Sequence, residues 1–224
     1  MRIVIAGAGM VGAGLAERLV AGKHDVVVVD ADREVCERVY SEIGVTAIHG
    51  SATSITTLEE AELDRAECAA ATMRRDSDNL CFAVLAQHMG VQRIIVRMRD
   101  PRYEEAYKLA GATRVLNIVD LYINQFTWEI EEPNLQELTA FGEGKASIVF
   151  IKVPAESPAA GKTVADIAQD SNFPDNCTIA AIFRSETGQF ILPRGHATIE
   201  AGDRVYMAAN TDDIRRAARF LGVK

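Results

Sequence analysis

Gly7-Ala8-Gly9-Met10-Val11-Gly12 sets three glycines in a GxGxxG spacing. The spacing follows the apolar run RIVIA directly and precedes residues that read as a helix. In that context each glycine has its own task. Gly7 makes a tight turn, Gly9 lets the backbone approach a pyrophosphate, and Gly12 lets the helix pack closely on the strand. A helix starting at such a turn offers unpaired N–H groups and the positive end of its dipole to phosphates. Asp30 closes the next apolar run, VVVVD, about 20 residues beyond the glycines, where an acidic side chain accepts hydrogen bonds from ribose hydroxyls. It also repels a 2′-phosphate, which disfavours NADP. The chemistry is binding of an adenine dinucleotide or nucleotide. Asp30 does not separate NAD from ATP, ADP or AMP, since all carry a free ribose and phosphate. A turn needed only for packing is the competing reading, and the joint presence of strand, helix and Asp30 weighs against it.

Positioning these residues requires alternating strands and helices. RIVIAG predicts a strand, followed by a helix through Ala21 that Gly22 ends as a left-handed cap. VVVVD is a β-branched run suited to a strand buried on both faces of a parallel sheet. Val35, Val39 and Ile43 then share one face of a helix. VTAIHG and CAAAT read as strands three and four, a helix begins near Asp76, and RIIVRM reads as strand five. A helix from Arg102 to Ala110 and the strand RVLNI complete the series. The pattern predicts an α/β, Rossmann-like, doubly wound parallel sheet with right-handed crossovers. Ligands of such sheets lie at the carboxyl ends of the strands. That adds Ser51, Ala52 and Thr53 after strand three, Thr72 and Met73 after strand four, and Arg97 near the end of strand five. Thr53 and Ser54 read equally well as helix caps, and Arg97 as a surface charge.

The texture changes after DLYINQFTWEIEE, a further helix ended by Pro133 and followed by the glycine-rich TAFGEGK. Beyond it SIVFIKV, TIAAIF, FILP and RVYMAA read as strands separated by turn clusters, with GKTVADIA and TDDIRRAARFLG as short helices. A boundary between Pro133 and Gly144 follows, giving a nucleotide-binding domain over 1–133 and a small α+β domain over 134–224.

The net charge of −8 argues against nucleic acid as a partner, because that affinity comes largely from Lys and Arg neutralising phosphates. No uncharged apolar run approaches the ~20 residues of a membrane span. The apolar start resembles a signal peptide only superficially, since its glycine spacing marks a strand–turn–helix. Cys36, Cys68, Cys81 and Cys177 are scattered and read as free buried thiols of a reduced cytoplasm. The four histidines are equally dispersed, so no metal site is expected. No catalytic residues are expected either: there is no nucleophile elbow or Tyr–Lys pair, and Tyr103 and Tyr107 read as one packed helix face. An NAD-dependent oxidoreductase is therefore the alternative rather than the lead. A soluble sensor without a transporter is a third class.

The segments GAGMVGAGLAERL, VVVVDADRE, HGSATSITTLEEAELDRAECAAAT and RIIVRMRDPRYEEAYKLAGATRVLN resemble the amino-terminal lobe of RCK (regulator of K+ conductance) domains of the TrkA-like family. GKTVADI, TIAAIFR, LPRGHATIEAGDRVYMAA and TDDIRRAARFLG resemble the carboxy-terminal lobe, so the likeness covers essentially the whole chain. The resemblance implies a cytoplasmic regulatory subunit, peripheral to the inner face of the membrane. It would gate a potassium-translocating membrane subunit of Trk or Ktr type, with no membrane insertion of its own. NAD(H) is the first implied ligand, with ATP, ADP or AMP as others. A homo-oligomer, dimers building a ring, is implied as well. Its crossover helix matches Asp120 to Glu132, whose Leu121, Ile123, Phe126, Trp128 and Ile130 exceed what one buried face needs. Carried over by position, Gly7 to Val11 and Asp30 match phosphate and ribose contacts, and Ser51, Thr72, Met73 and Arg97 match adenine-side and phosphate contacts. Met10 stands where the family often has Arg, Ser51 where many relatives have Asp, and the loop before Asn79 is longer than usual. Val119 occupies the place of a Glu through which some relatives bind a cation, which implies no such ion site here.

Overall fold

Val26, Val27, Val28 and Val29 are all buried, as a β-branched run without polar alternation requires when helices cover both faces of a sheet. The computed structural model, which describes residues 1–142 and 145–223, builds this run into the first of two units, Met1–Tyr122 and Ile123–Lys224. Glu143 and Gly144, in the glycine-rich stretch expected after Pro133, lie outside the described residues.

The first unit is a parallel sheet of β1 (Arg2–Ala6), β2 (Asp25–Asp30), β3 (Thr46–His49), β4 (Cys68–Ala71), β5 (Arg93–Met98) and β6 (Arg114–Asn117). Its order is β3-β2-β1-β4-β5-β6, so the chain changes direction across the sheet between β1 and β4. Successive side chains of a strand point to opposite faces. Ile3, Ile5, Val26 and Val28 accordingly share one core with Ala16 of α1 (Met10–Ala21) and Val39 of α2 (Arg33–Ile43). Val4, Ala6, Val27 and Val29 share the other with Leu58 of α3 (Ile55–Glu60), Phe82 of α4 (Asp76–His88) and Tyr107 of α5 (Glu104–Leu109). This is the doubly wound architecture that the alternating pattern predicts.

Three local expectations need correction. Gly22 is not the left-handed cap of α1: its φ is −76°, and Lys23 takes the left-handed position at φ 62°. The N–H of Lys23 bonds Val20 O and that of His24 bonds Leu19 O, so the helix closes one residue later than the glycine suggests. The helix expected from Arg102 to Ala110 opens as a 3-10 turn over Pro101–Tyr103, capped by the Asp100 side chain, and becomes α-helical only at Glu104. Cys81 is exposed on α4, whereas Cys36, Cys68 and Cys177 are buried as expected. Burial raises all three, and pushes Cys177 up to about 12.

In the second unit an antiparallel sheet contains β7 (Leu135–Phe141), β8 (Ala146–Lys152), β9 (Thr178–Arg184), β10 (Gln189–Ile191) and β11 (Arg204–Ala209), in the order β10-β9-β11-β8-β7. Val149, Ile151, Ile182, Val205 and Met207 alternate inward, against Ile167 of α7 (Val164–Gln169) and Ile214, Ala217 and Ala218 of α8 (Thr211–Phe220). Thr163 and Asp166 form a reciprocal capping box at the start of α7, and Asn210 caps α8. The helix α6 (Ile118–Glu131) runs through the division at Tyr122, ahead of the expected boundary at Pro133. Leu121, Tyr122, Ile123, Phe126 and Ile130 on α6 are exposed. Trp128 departs from that group, packing against the core of the second unit.

Candidate nucleotide site

The carboxyl ends of β1, β2, β4 and β5 border a cavity of about 730 Å3, within the size range of small-molecule sites. At its centre the chain leaves β1 through Gly7, whose φ of +91° is one that side-chain-bearing residues avoid. The Gly7 N–H reaches back to Val29 O at 2.8 Å, tying the turn to β2. A Cβ at Gly12 would lie 1.9 Å from Gly7 O, so this glycine seats α1 on the turn. A Cβ at Gly9 would meet nothing within 4 Å, because Gly9 borders the open cavity. Gly9 is also the residue before α1, and the first-turn N–H groups of a helix have no intrahelical acceptors. An anion placed over Gly9 would meet those groups and the dipole end together.

Asp30 ends β2 half-buried beside this turn. Its carboxylate accepts from the Ala8 N–H at 2.6 Å and the Asp32 N–H at 2.9 Å. The side chain thus staples the glycine turn to the start of α2 while bordering the cavity. Asp32 belongs to helix capping, accepting from the N–H groups of Glu34 and Val35. On the far side of β1, Thr72 Oγ1 lies 2.8 Å from Gly7 O, and the Met73 N–H donates to Asn79 Oδ1 at 3.0 Å. Arg97 reaches across from β5, its Nη1 donating to Thr72 O at 3.3 Å. Its Nε is buried without a hydrogen-bond partner, and among the described residues Arg97 joins none of the ion pairs. The cavity is acidic over β2, while Arg74 and Arg97 border it over β4 and β5 together with Arg75, which is paired with Asp78 at 2.9 Å.

The structure gathers Gly7, Gly9, Met10, Val11, Asp30, Ser51, Ala52, Thr53, Thr72, Met73 and Arg97 around this cavity. Ala8 and Gly12 are not among its walls. Ala8 is buried, and its N–H is held by Asp30. Gly12 lies beneath the turn, which is a packing role. Ser51 Oγ and Thr53 Oγ1 are 2.7 Å apart at the rim, and Ser54 stands at the cap position of α3 without a side-chain cap bond. The sequence reasoning missed Val29, Ala31, Asp32, Val35, Arg74, Arg75 and Asp78, which also line the cavity. Asp32 was recoverable from its place before a helical run, and the Arg74–Arg75 pair from the charges after strand four. Tyr107 is fully buried, and its hydroxyl lies 2.9 Å from Asp76 Oδ1, so this side chain is committed to packing.

Two features fit a phosphorylated ligand. The space over Gly9 is one that any Cβ would invade, and Arg97 brings a guanidinium to the cavity wall outside the ion pairs of the described residues.

Comparison with known proteins covers both units. The TrkA-N domain family matches residues 3–118 and the TrkA-C domain family matches residues 148–222. A Trk system potassium uptake protein TrkA homolog of Archaeoglobus fulgidus is 35% identical over 99% of this chain, which spans 50% of that relative. One from Methanothermobacter thermautotrophicus is 30% identical over 99% of this chain and 100% of its own length. Among solved structures, the GsuK channel bound to NAD superposes with a TM-score of 0.64 at 19% identity, covering 99% of this chain and 39% of that one.

Proposed function

The chain belongs to the TrkA family, and on that premise we propose that it is a nucleotide-sensing regulatory subunit that gates a membrane potassium transporter of Trk or Ktr type. The cavity at the sheet's carboxyl edge carries the proposal. It has an open anion cradle at Gly9, a ribose-accepting carboxylate at Asp30 and, at Arg97, a guanidinium in none of the ion pairs of the described residues. An adenine nucleotide would place its ribose at Asp30 and its phosphates over Gly9 to Val11. Departing from the adenine-side and phosphate match that the resemblance implies, we assign Met73 and Arg97, across β1 from Asp30, to the far end of a dinucleotide. NAD(H) is the lead ligand, and among the similar structures one is described as bound to NAD and another as bound to ADP. ATP, ADP and AMP share the adenosine and phosphate chemistry. We read the role as regulatory rather than enzymatic, since the cavity is lined by no His, Cys, Tyr or Lys among the described residues.

Among the described residues no helix is long and apolar enough to cross a membrane. On the family's account, we place its action at the cytoplasmic face, through its partner. It assembles with copies of itself through the exposed apolar residues of α6, building the dimers of a ring.

Titration calorimetry with NAD, NADH, ATP, ADP and AMP tests the ligand assignment. Asp30→Ala should weaken the best of them by about 1.5–3 kcal/mol, the value of hydrogen bonds to a charged group. Asp30 also staples Ala8 and Asp32, so part of that loss is turn ordering rather than ribose contact. An unchanged dissociation constant would remove Asp30 from the site.

A further inference from the structure

Asn79 sits in the first turns of α4 with only 1% of its surface exposed, and it is not part of the cavity wall. Its amide is nevertheless spent on two residues that are. Oδ1 accepts from the Met73 N–H at 3.0 Å, and Nδ2 donates to Met73 O at 3.1 Å and to Arg97 O at 3.0 Å. One side chain thus clips the loop after β4 to the end of β5. Only an amide fits, because the clip needs an acceptor for one N–H and donors for two carbonyls. Asp76, one turn earlier, holds the same strand end from below. Its carboxylate accepts from the N–H groups of Arg99 and Asp100 at 3.0 and 3.1 Å, and from the buried Tyr107 hydroxyl.

Resting on the nucleotide assignment above, we propose that Asn79 is a positioning residue for the part of the ligand that lies beyond the glycine turn. The sheet order separates the two halves of the site. Asp30 ends β2 on one side of β1, whereas Met73 and Arg97 follow β4 and β5 on the other. Arg97 has one weak anchor of its own, the 3.3 Å bond to Thr72 O. Pairing with β6 holds Arg97 in β5, and Asn79 adds a bond to its carbonyl. Met73, by contrast, has both its N–H and its carbonyl held by Asn79, so loss of the clip misplaces the loop after β4 and costs binding without any contact between Asn79 and ligand. The adenosine half, over Asp30 and Gly9, is untouched by the clip.

The test uses NADH, which extends past the turn, and AMP, which ends at it, with wild type, Asn79→Ala and Asn79→Asp. The aspartate keeps an acceptor for the Met73 N–H and turns a second oxygen toward the two carbonyls, so it removes the donors at nearly constant volume. Both variants should lose about tenfold in NADH affinity and less than about twofold in AMP affinity. General destabilisation would lower the competent fraction and weaken both probes equally. Equal losses, or none, overturn the assignment of Asn79. Asp30→Ala separates this from failure of the nucleotide site itself. Weakening of both probes by Asp30→Ala, with none by Asn79→Ala, would leave the site standing and remove Asn79 from it. A wild type that binds neither probe would remove both.

Discussion

A side chain at Gly9 would project into open space, and one at Gly12 would strike Gly7 O at 1.9 Å. The two glycines therefore separate function from packing. Gly9→Val keeps an ordinary backbone, since Gly9 already has φ −61° and ψ −172°. The variant should unfold like wild type and yet bind no NADH where wild type is saturated. Wild-type affinity in a folded Gly9→Val protein would mean that the glycines serve the turn alone. The spacing of these residues was legible because each glycine answers a distinct geometric demand. What the spacing did not reveal is the second task of Asp30. Its bond to the Asp32 N–H is local, but its bond to the Ala8 N–H spans 22 residues, and no local pattern records that one. Asn79 was hidden for the same reason, since its partners Met73 and Arg97 lie on two different strand ends.

Elements with one dominant physical signal were legible at the next scale. The valine run of β2 and the 3.6-residue spacing of Ile214, Ala217, Ala218 and Leu221 left little choice. β7 was missed because it lies at the sheet edge and buries only Leu135, so almost no alternation exists to be read. α3 was legible only through the cap reading of Thr53 and Ser54, because it is six residues long and buries Leu58 alone. The apolar excess of α6 was visible, but not its division. Trp128 packs within the second unit, while Phe126 and Ile130 remain 68% and 77% exposed. Full burial of a Phe or Ile side chain contributes about 1.5–3 kcal/mol, so a second copy covering this face would be held by residues of this kind. The double substitution Phe126→Glu with Ile130→Glu should turn a dimer into a monomer in sedimentation equilibrium, with an unchanged circular dichroism spectrum. The same mass for both proteins would place self-association elsewhere.

At the scale of the molecule, the second unit has a core of its own, and α6 contributes to it. Trp128 packs on that core, and Arg215 pairs with Glu131 and Glu132 at 3.0 and 2.6 Å. A fragment of residues 123–224 should therefore unfold cooperatively and be more stable than one of residues 133–224, by about 1.5–3 kcal/mol for the lost Trp128 burial. Equal stabilities in denaturant unfolding would favour Pro133 as the boundary. The proposed regulation would be a property of the assembled molecule, and it requires that the nucleotide bind two conformations with different affinity, because equal affinity shifts nothing. Coupling of about 1–3 kcal/mol is typical, and by linkage the open transporter must alter nucleotide affinity by the same factor. The decisive measurement is potassium flux into vesicles that hold the membrane subunit with this protein bound, at NADH near its dissociation constant and without it. NADH should change the flux by several-fold to about a hundredfold, and Asp30→Ala should remove that response at the same concentration. Flux that is the same with and without NADH, in wild type and variant alike, would contradict a gating role.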